Sequence, residues 1–358
     1  MSDRRRPVLA AAEQAADARE LFSRVSARLR RLVPFHSAVW TAADPETGLI
    51  TAPMLVENLG SGGGCAAYWQ SELLEENVLP FRDLARALVP AAGLRAATGD
   101  LPARSARFRH LLLDQGVHDE LRAVLRIGDR PWGLVSLFRT TDAFHPQETA
   151  LLADLSRPLA ERLRTFARPA ASARGTDSPA PGLILFDESG EAMSANDEAR
   201  HHLARLPNGP SFPTPLGLEL PIWVIGTALQ ARAIADGRCR GSARVRIRTT
   251  DGGQLTCHAS CLTGPGGRPG PVALVIEPAT PADMAVLVGE TYGLTSRELQ
   301  ITRLVARGLT TAEIASELFI SPHTVRDHLK TIFTKAGVSS RGVLVARLFT
   351  DHHRPARP

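Results

Sequence analysis

Arg326, Asp327 and Lys330 fall in one stretch, Ser321 to Gly337, that also holds Lys335. Cationic donors and a carboxylate acceptor three and four residues apart form the set that hydrogen-bonds base edges and phosphates. Lys330 and Lys335 are the only lysines of a 358-residue chain that has 42 lysines and arginines together. Arginine and alanine codons are GC-rich, so the arginine surplus follows codon usage and the two lysines carry more information. Their scarcity excludes other chemistries. A phosphate-binding loop needs a lysine after glycine, and none stands there. A pyridoxal-phosphate Schiff base would have to use Lys330 or Lys335. A phosphoacceptor receiver domain carries a lysine beside its aspartate, and residues 1–329 contain none.

Other reactive side chains lead to plainer readings. Cys257 and Cys261, with His258 between them, suggest a metal site. On a strand, residues four apart are separated by about 13 Å, too far to share one zinc, so core thiols are expected. Cys65 follows the glycine run GSGGG, which lacks a strand–GxGxxG–helix setting, and a loop is expected rather than a pigment attachment. His201 and His202 point about 100° apart on a helix and would not ligate haem together; a half-exposed helix surface is expected. His110 and His118 suggest no more. No paired carboxylates or nucleophile–base spacing argue for catalysis, so no catalytic residue, cofactor or metal is expected.

These residues must be positioned by more than one core. The length suggests two or three domains. Apolar content of 44% and charged content of 22% are those of a globular protein. A net charge of +5 permits a polyanionic partner. No stretch approaches the roughly 18 apolar residues of a membrane helix. The N-terminal apolar run Val8 to Ala12 stops at Glu13, too short for a signal peptide, so a cytoplasmic protein with reduced thiols is expected.

The expected fold class is multidomain α+β. Residues 17–168 form a first mixed block. Leu21, Val25, Leu29 and Leu32 recur at helical spacing; strand-like Ser37 to Ala42 leads into the turn DPETG. A helix-like ARFRHLLLDQG and a hairpin, ELRAVLRI and GLVSLFR, follow. A closing helix from Pro146 carries Leu151, Leu152, Leu155, Leu159 and Leu163 on one face. That stripe suits either its own sheet or a homodimer contact. Residues 169–181, rich in proline and small polar residues, read as a linker. Residues 182–277 form a second block: strand, Asp-x-x-Gly turn, strand, a helix capped by Asn196, a further helix, then an antiparallel sheet. By order of elements, the first block resembles a GAF sensory domain and the second a PAS domain. Residues 278–291 are a second linker.

Residues 292–353 read as four helices with short turns. Ile301, Leu304 and Val305 give the first a buried face; Ala312, Ile314, Ala315 and Leu318 do so for the second. Ser321 is an N-cap with Pro322 at the first helical position. Val325, Leu329, Ile332 and Phe333 form the apolar face of the third helix, and the opposite face collects His323, Asp327, Lys330 and Thr334 with Arg326 at its border.

This segment resembles the LuxR-type helix-turn-helix. The matching residues are Leu294-Thr295, Arg297-Glu298, Gly308, Glu313-Ile314-Ala315, Leu318, Ser321-Pro322, Thr324-Val325, His328, Lys335, Gly337-Val338 and Ser340-Arg341. Thr302 and Ala336 stand where the family has leucine, which truncates the expected core. The resemblance implies a transcriptional regulator, not an enzyme, that binds double-stranded DNA. It implies base contacts from Arg326, Asp327 and Lys330, and backbone contacts from Thr311, Ser321, Thr324 and Lys335. It further implies a homodimer, a small-molecule signal in the sensory blocks and RNA polymerase as a partner. The rival readings are a cofactor-bound sensor or enzyme, or a partner-docking protein, with the helix-turn-helix secondary.

Overall fold

The computed structural model describes residues 2–59, 64–75, 77–167, 180–280, 283, 289 and 291–350. The N-terminal unit opens with helices α1 (Ser2–Glu13) and α2 (Ala18–Leu29) and strands β1 (Ser37–Ala43) and β2 (Ile50–Glu57). Helices α3 (Gly64–Leu74) and α4 (Phe81–Leu84), strand β3 (Ala91–Gly93) and helix α5 (Leu94–Thr98) follow. A hairpin of β4 (Asp119–Ile127) and β5 (Arg130–Arg139) leads to the long α6 (Pro146–Phe166). Gly128, at φ +64°, takes the first position of the two-residue hairpin turn, where glycine alone is unstrained. The stretch ARFRHLLLDQG supplies a single π-helical turn, Phe108–Leu112.

The five strands form an antiparallel sheet in the order β2-β1-β5-β4-β3. Period-two alternation divides β4 between two cores. Leu121, Ala123 and Leu125 join Trp40, Val135 and Leu137 under α2 and α6. Glu120 and Arg122 point to the other face, beneath Tyr68 and Glu72 of α3. The α6 stripe belongs wholly to the first of these cores: Leu152 and Leu155 are fully buried and Leu151, Leu159 and Leu163 nearly so. The dimer contact open to that stripe is therefore closed, because the unit's own sheet and α1 and α2 cover it. Residues 2–13, outside the expected first block, complete this cover with Val8 and Ala12.

The second unit runs β6 (Gly182–Phe186), β7 (Ala192–Ala195), α7 (Asp197–Ala204), β8 (Ser211–Pro213), β9 (Glu219–Pro221) and α8 (Ile222–Ala235). It closes with β10 (Arg244–Arg248), β11 (Gln254–Thr263) and β12 (Pro269–Pro278). Its main sheet is ordered β10-β11-β12-β6-β7. Counted from each unit's first strand, both sheets have the order 2-1-5-4-3. The cores are continuous: Trp69 and Phe81 of the first unit belong to the same apolar cluster as Trp223, Ile184 and Ile276 of the second.

Asn196 caps α7 by accepting the Ala199 N–H at 3.0 Å. The next turn corrects one expectation. His201 is exposed, but His202 is fully buried, its Nε2 donating to the Ala180 carbonyl at 3.0 Å. The angular separation of adjacent helical residues sends one ring outward and the other inward. Cys257 is buried in β11 opposite Val245, and burial pushes its thiol up to about 12. Cys261 lies farther along the same strand, with Arg232 Nη1 3.4 Å from its sulfur. Residues 60–63, before Cys65, and the Cys65 side chain lie outside the described residues, as does nearly all of the expected linker 169–181.

The C-terminal unit comprises α9 (Ser296–Ala306), α10 (Thr311–Glu317), α11 (Pro322–Ala336) and α12 (Arg341–Thr350). The DPETG turn between β1 and β2 meets both other units. Asp44 and Arg246 of β10 form a two-point ion pair at 2.7 and 2.9 Å. Glu46 accepts from Arg303 of α9 at 2.7 Å and from Arg244 at 3.2 Å. Among the described residues, no helix is long and apolar enough to cross a membrane.

Candidate nucleic-acid interface

The sequence writes the start of each C-terminal helix explicitly. Thr295 and Glu298 make a reciprocal capping box for α9, and Thr310 and Glu313 make one for α10. The Ser321 hydroxyl accepts the Thr324 N–H at 3.0 Å and begins α11, which Gly337 ends at φ +64°. Ile301, Val305, Ile314, Val325, Ile332 and Leu344 meet in one core with no accessible surface. Leu318 is half-buried, but Ala312 is exposed: the short α10 turns only Ile314 and Ala315 fully inward. Thr302 is buried without an orphaned hydroxyl, because it donates to the Glu298 carbonyl at 2.8 Å. Ala336 is likewise buried among these side chains.

On α11 the burial of Val325, Leu329, Ile332 and Ala336 leaves the opposite face in solvent. Arg326, Asp327 and Lys330 are all exposed on it. Arg326 is steadied by its own helix, Nε donating to the Pro322 carbonyl at 3.2 Å. Asp327 lies between two partners, the Lys330 ammonium at 3.4 Å and the His323 imidazole Nε2 at 3.5 Å. The carboxylate thus arrays the donors of this face along the helix as much as it offers an acceptor.

The four expected backbone contacts divide. Ser321 and Thr324 sit together at the α11 N-terminus, their hydroxyls 2.8 Å apart. Pro322 has no N–H and the Thr324 N–H is taken by Ser321, so the two hydroxyls and the positive pole of the helix are what suit a phosphate here. Thr311 occupies the first turn of α10, while Thr310 supplies the capping hydroxyl. Lys335 is engaged within the fold. Its ammonium lies 2.7 Å from Glu298 Oε2, on a carboxylate that is 5% exposed, and 3.4 Å from the Gly293 carbonyl. Burial alone would raise the Glu298 carboxyl; hydrogen bonds from Lys335 and Thr295 outweigh it and hold the group below its ordinary range. Lys335 therefore fastens α11 to α9, with its side chain 32% exposed.

A second polar cluster, not foreseen from sequence, lies inside the N-terminal unit. Arg107 Nη2 is 2.9 Å from Glu120 and its Nη1 2.9 Å from Glu72. Arg122 Nη2 is 2.8 Å from Glu72, and the Tyr68 hydroxyl meets Ser136 and Glu120 at 2.7 and 3.0 Å. Burial works against the Glu120 charge, but the Arg107 and Arg122 guanidinium groups hold its carboxyl below the ordinary range. Each carboxylate is answered by a guanidinium group, so the cluster is a charge-balanced internal network. Among the described residues, no three His, Cys, Asp or Glu side chains converge as metal ligands.

Residues 293–348 match the family model of bacterial regulatory proteins, luxR family. The spore germination protein GerE of Bacillus subtilis is 47% identical over 55 residues, which cover 15% of this chain and 74% of that protein. The chain belongs to the luxR family. An HTH-type transcriptional regulator of Mycobacterium bovis is 46% identical over 52 residues, 14% of this chain; the luxR-family chain spans only 6% of its length. Among solved structures, the chromophore-binding domain of bacteriophytochrome RpBphP3 from R. palustris aligns at 13% identity. That alignment covers 46% of the luxR-family chain and 60% of the other, with a TM-score of 0.34. Family membership thus rests on α9 to α12.

Proposed function

We propose that this protein is a DNA-binding transcriptional regulator that reads the major groove with α11. The observation that carries the reading is one face of that helix: Arg326, Asp327 and Lys330 stand in solvent opposite a buried apolar stripe. A helix of this kind fits the groove, and its side chains match guanine and cytosine edges. Arg326 and Lys330 are assigned to bases, with Asp327 holding Lys330 and accepting from cytosine. Ser321, Thr324 and Thr311 are assigned to phosphates. Binding as a homodimer on paired half-sites belongs to the same reading, with RNA polymerase as a further partner and the cytoplasm as the place of action.

The N-terminal and middle units are GAF-like and PAS-like sensors in this proposal, a reading their common 2-1-5-4-3 sheet order supports. A small molecule or partner bound there changes the placement of the C-terminal units on DNA, by differential affinity for two arrangements. The protein acts by binding and not by catalysis. The test is selection of duplexes from a randomised pool by the full-length protein, followed by titration across a salt series. Enrichment of a defined site, with affinity falling steeply as salt rises, supports the proposal. Absence of enrichment, with salt-insensitive binding to protein partners, rejects it.

A further inference from the structure

Phe319 joins α10 to the reading helix, in backbone that does not suit it. Its φ is +53°, and its side chain is 95% exposed. The geometry is that of a left-handed helix stop: Phe319 N donates to the Ser316 carbonyl at 3.3 Å, and Ile320 N to the Ala315 carbonyl at 3.0 Å. Glycine or asparagine is the ordinary occupant, because a Cβ strains this conformation. Arg297 holds the turn in place through a 2.8 Å bond from its Nη2 to the Leu318 carbonyl. A lone exposed apolar side chain is commonplace. One that is also held at positive φ gives up backbone energy and gains no packing within its own chain, the pattern expected of a side chain kept for a contact outside the fold.

We infer that Phe319 is a DNA-contact residue that packs its ring against the edge of the groove entered by α11. It stands two residues before Ser321, at the end of the reading helix that faces the duplex in a helix-turn-helix. The apolar surfaces there are thymine methyl groups and deoxyribose, and a phenyl ring fits either. This inference rests on the DNA-binding reading above and adds an apolar, shape-dependent contact to its polar ones.

The test uses full-length protein and a duplex that wild type enriches from a randomised pool. Phe319→Gly and Phe319→Asn both suit left-handed backbone, so both should melt no lower than wild type. Both should bind the duplex about tenfold more weakly, as expected for loss of a partly buried aromatic contact. Stability and affinity thus move independently, which a structural role for the ring would not produce. Replacing thymine by deoxyuridine in the duplex separates the two surfaces: a methyl contact makes wild type lose affinity and leaves Phe319→Gly unmoved, whereas a deoxyribose contact leaves both unmoved. Equal affinity of wild type and both variants overturns the inference while leaving the DNA reading intact. A wild-type protein that enriches no duplex removes the DNA reading, and this inference with it.

Discussion

Lys335 and Glu298, 37 residues apart, form a 2.7 Å ion pair that joins the end of α11 to the start of α9. The same carboxylate accepts the Thr295 N–H at 2.7 Å, so one buried side chain both caps a helix and anchors its neighbour. Lys335→Ala leaves that carboxylate without its cation. Loss of about 1–2 kcal/mol from the helical unit is expected, since the Thr295 bond remains. Lys335→Arg should retain most of the stability. Thermal melts followed by circular dichroism check both. If Lys335→Ala melted like wild type and lost only DNA affinity, the residue would be a phosphate contact after all.

The Arg107–Glu120–Arg122 network predicts acid lability of the N-terminal unit. Burial opposes the Glu120 charge, but its two guanidinium neighbours prevail and its folded pKa lies below the ordinary value of 4.5. The stabilisation is therefore complete above that ordinary value and is lost as pH falls through the folded one. Asp44, held down by Arg246 against its own burial, titrates in the same direction. Tryptophan fluorescence should report unfolding only below about pH 4. Arg122→Met leaves Glu72 and Glu120 with one cation between them and should cost about 3–5 kcal/mol at neutral pH. A variant as stable as wild type would show that the network contributes specificity alone.

The sequence made the C-terminal helices legible because their signals are local. Ser321-Pro322 starts α11, Gly337 stops it, and the buried stripe follows the helical period. The strand order of the two sheets was not legible, since β1 pairs with β5 across nearly a hundred residues, and no local pattern encodes such a partner. Glu120 and Arg122 illustrate a subtler failure. Charges alternating with apolar residues along ELRAVLRI resemble a strand with one wet face, yet α3 covers that face and the charges pair beneath it. Lys335 was legible as an unusual lysine but not as a partner for Glu298, because only the helix crossing brings them together.

The Glu46–Arg303 contact makes a quantitative claim about how firmly the helical unit is docked. The side chains are 26% and 37% exposed, so solvent and salt screen the pair, and about 0.2–1 kcal/mol is expected from it. Arg303→Glu should loosen the unit, raising the radius of gyration measured by X-ray scattering at low salt. Glu46→Gln removes the same charge contact and should loosen the unit likewise. High salt should bring wild type toward either variant. A radius of gyration indifferent to both variant and salt would mean that packing elsewhere holds the unit.

The reading face yields the sharpest contrast between variants. In the proposed reading Arg326 and Lys330 carry the base-edge donors, whereas Asp327, 3.4 Å from Lys330 and 3.5 Å from His323, would oppose the field of the DNA while aligning its neighbours. Arg326→Ala or Lys330→Ala should cost about 1–3 kcal/mol on the selected site and relax preference at one base position, leaving affinity for scrambled duplex little changed. Asp327→Asn should act in the opposite sense on non-specific binding. Removing a negative charge from the face strengthens attraction to any duplex and steepens the salt dependence, while the unanchored Lys330 blurs sequence choice. The ratio of affinities for selected and scrambled duplexes should therefore fall in all three variants, for different reasons: the numerator drops in the first two and the denominator rises in the third. Titration of both duplexes at several salt concentrations separates these outcomes. If all three ratios matched wild type, α11 would not be the reader, and the exposed face would belong to a protein partner.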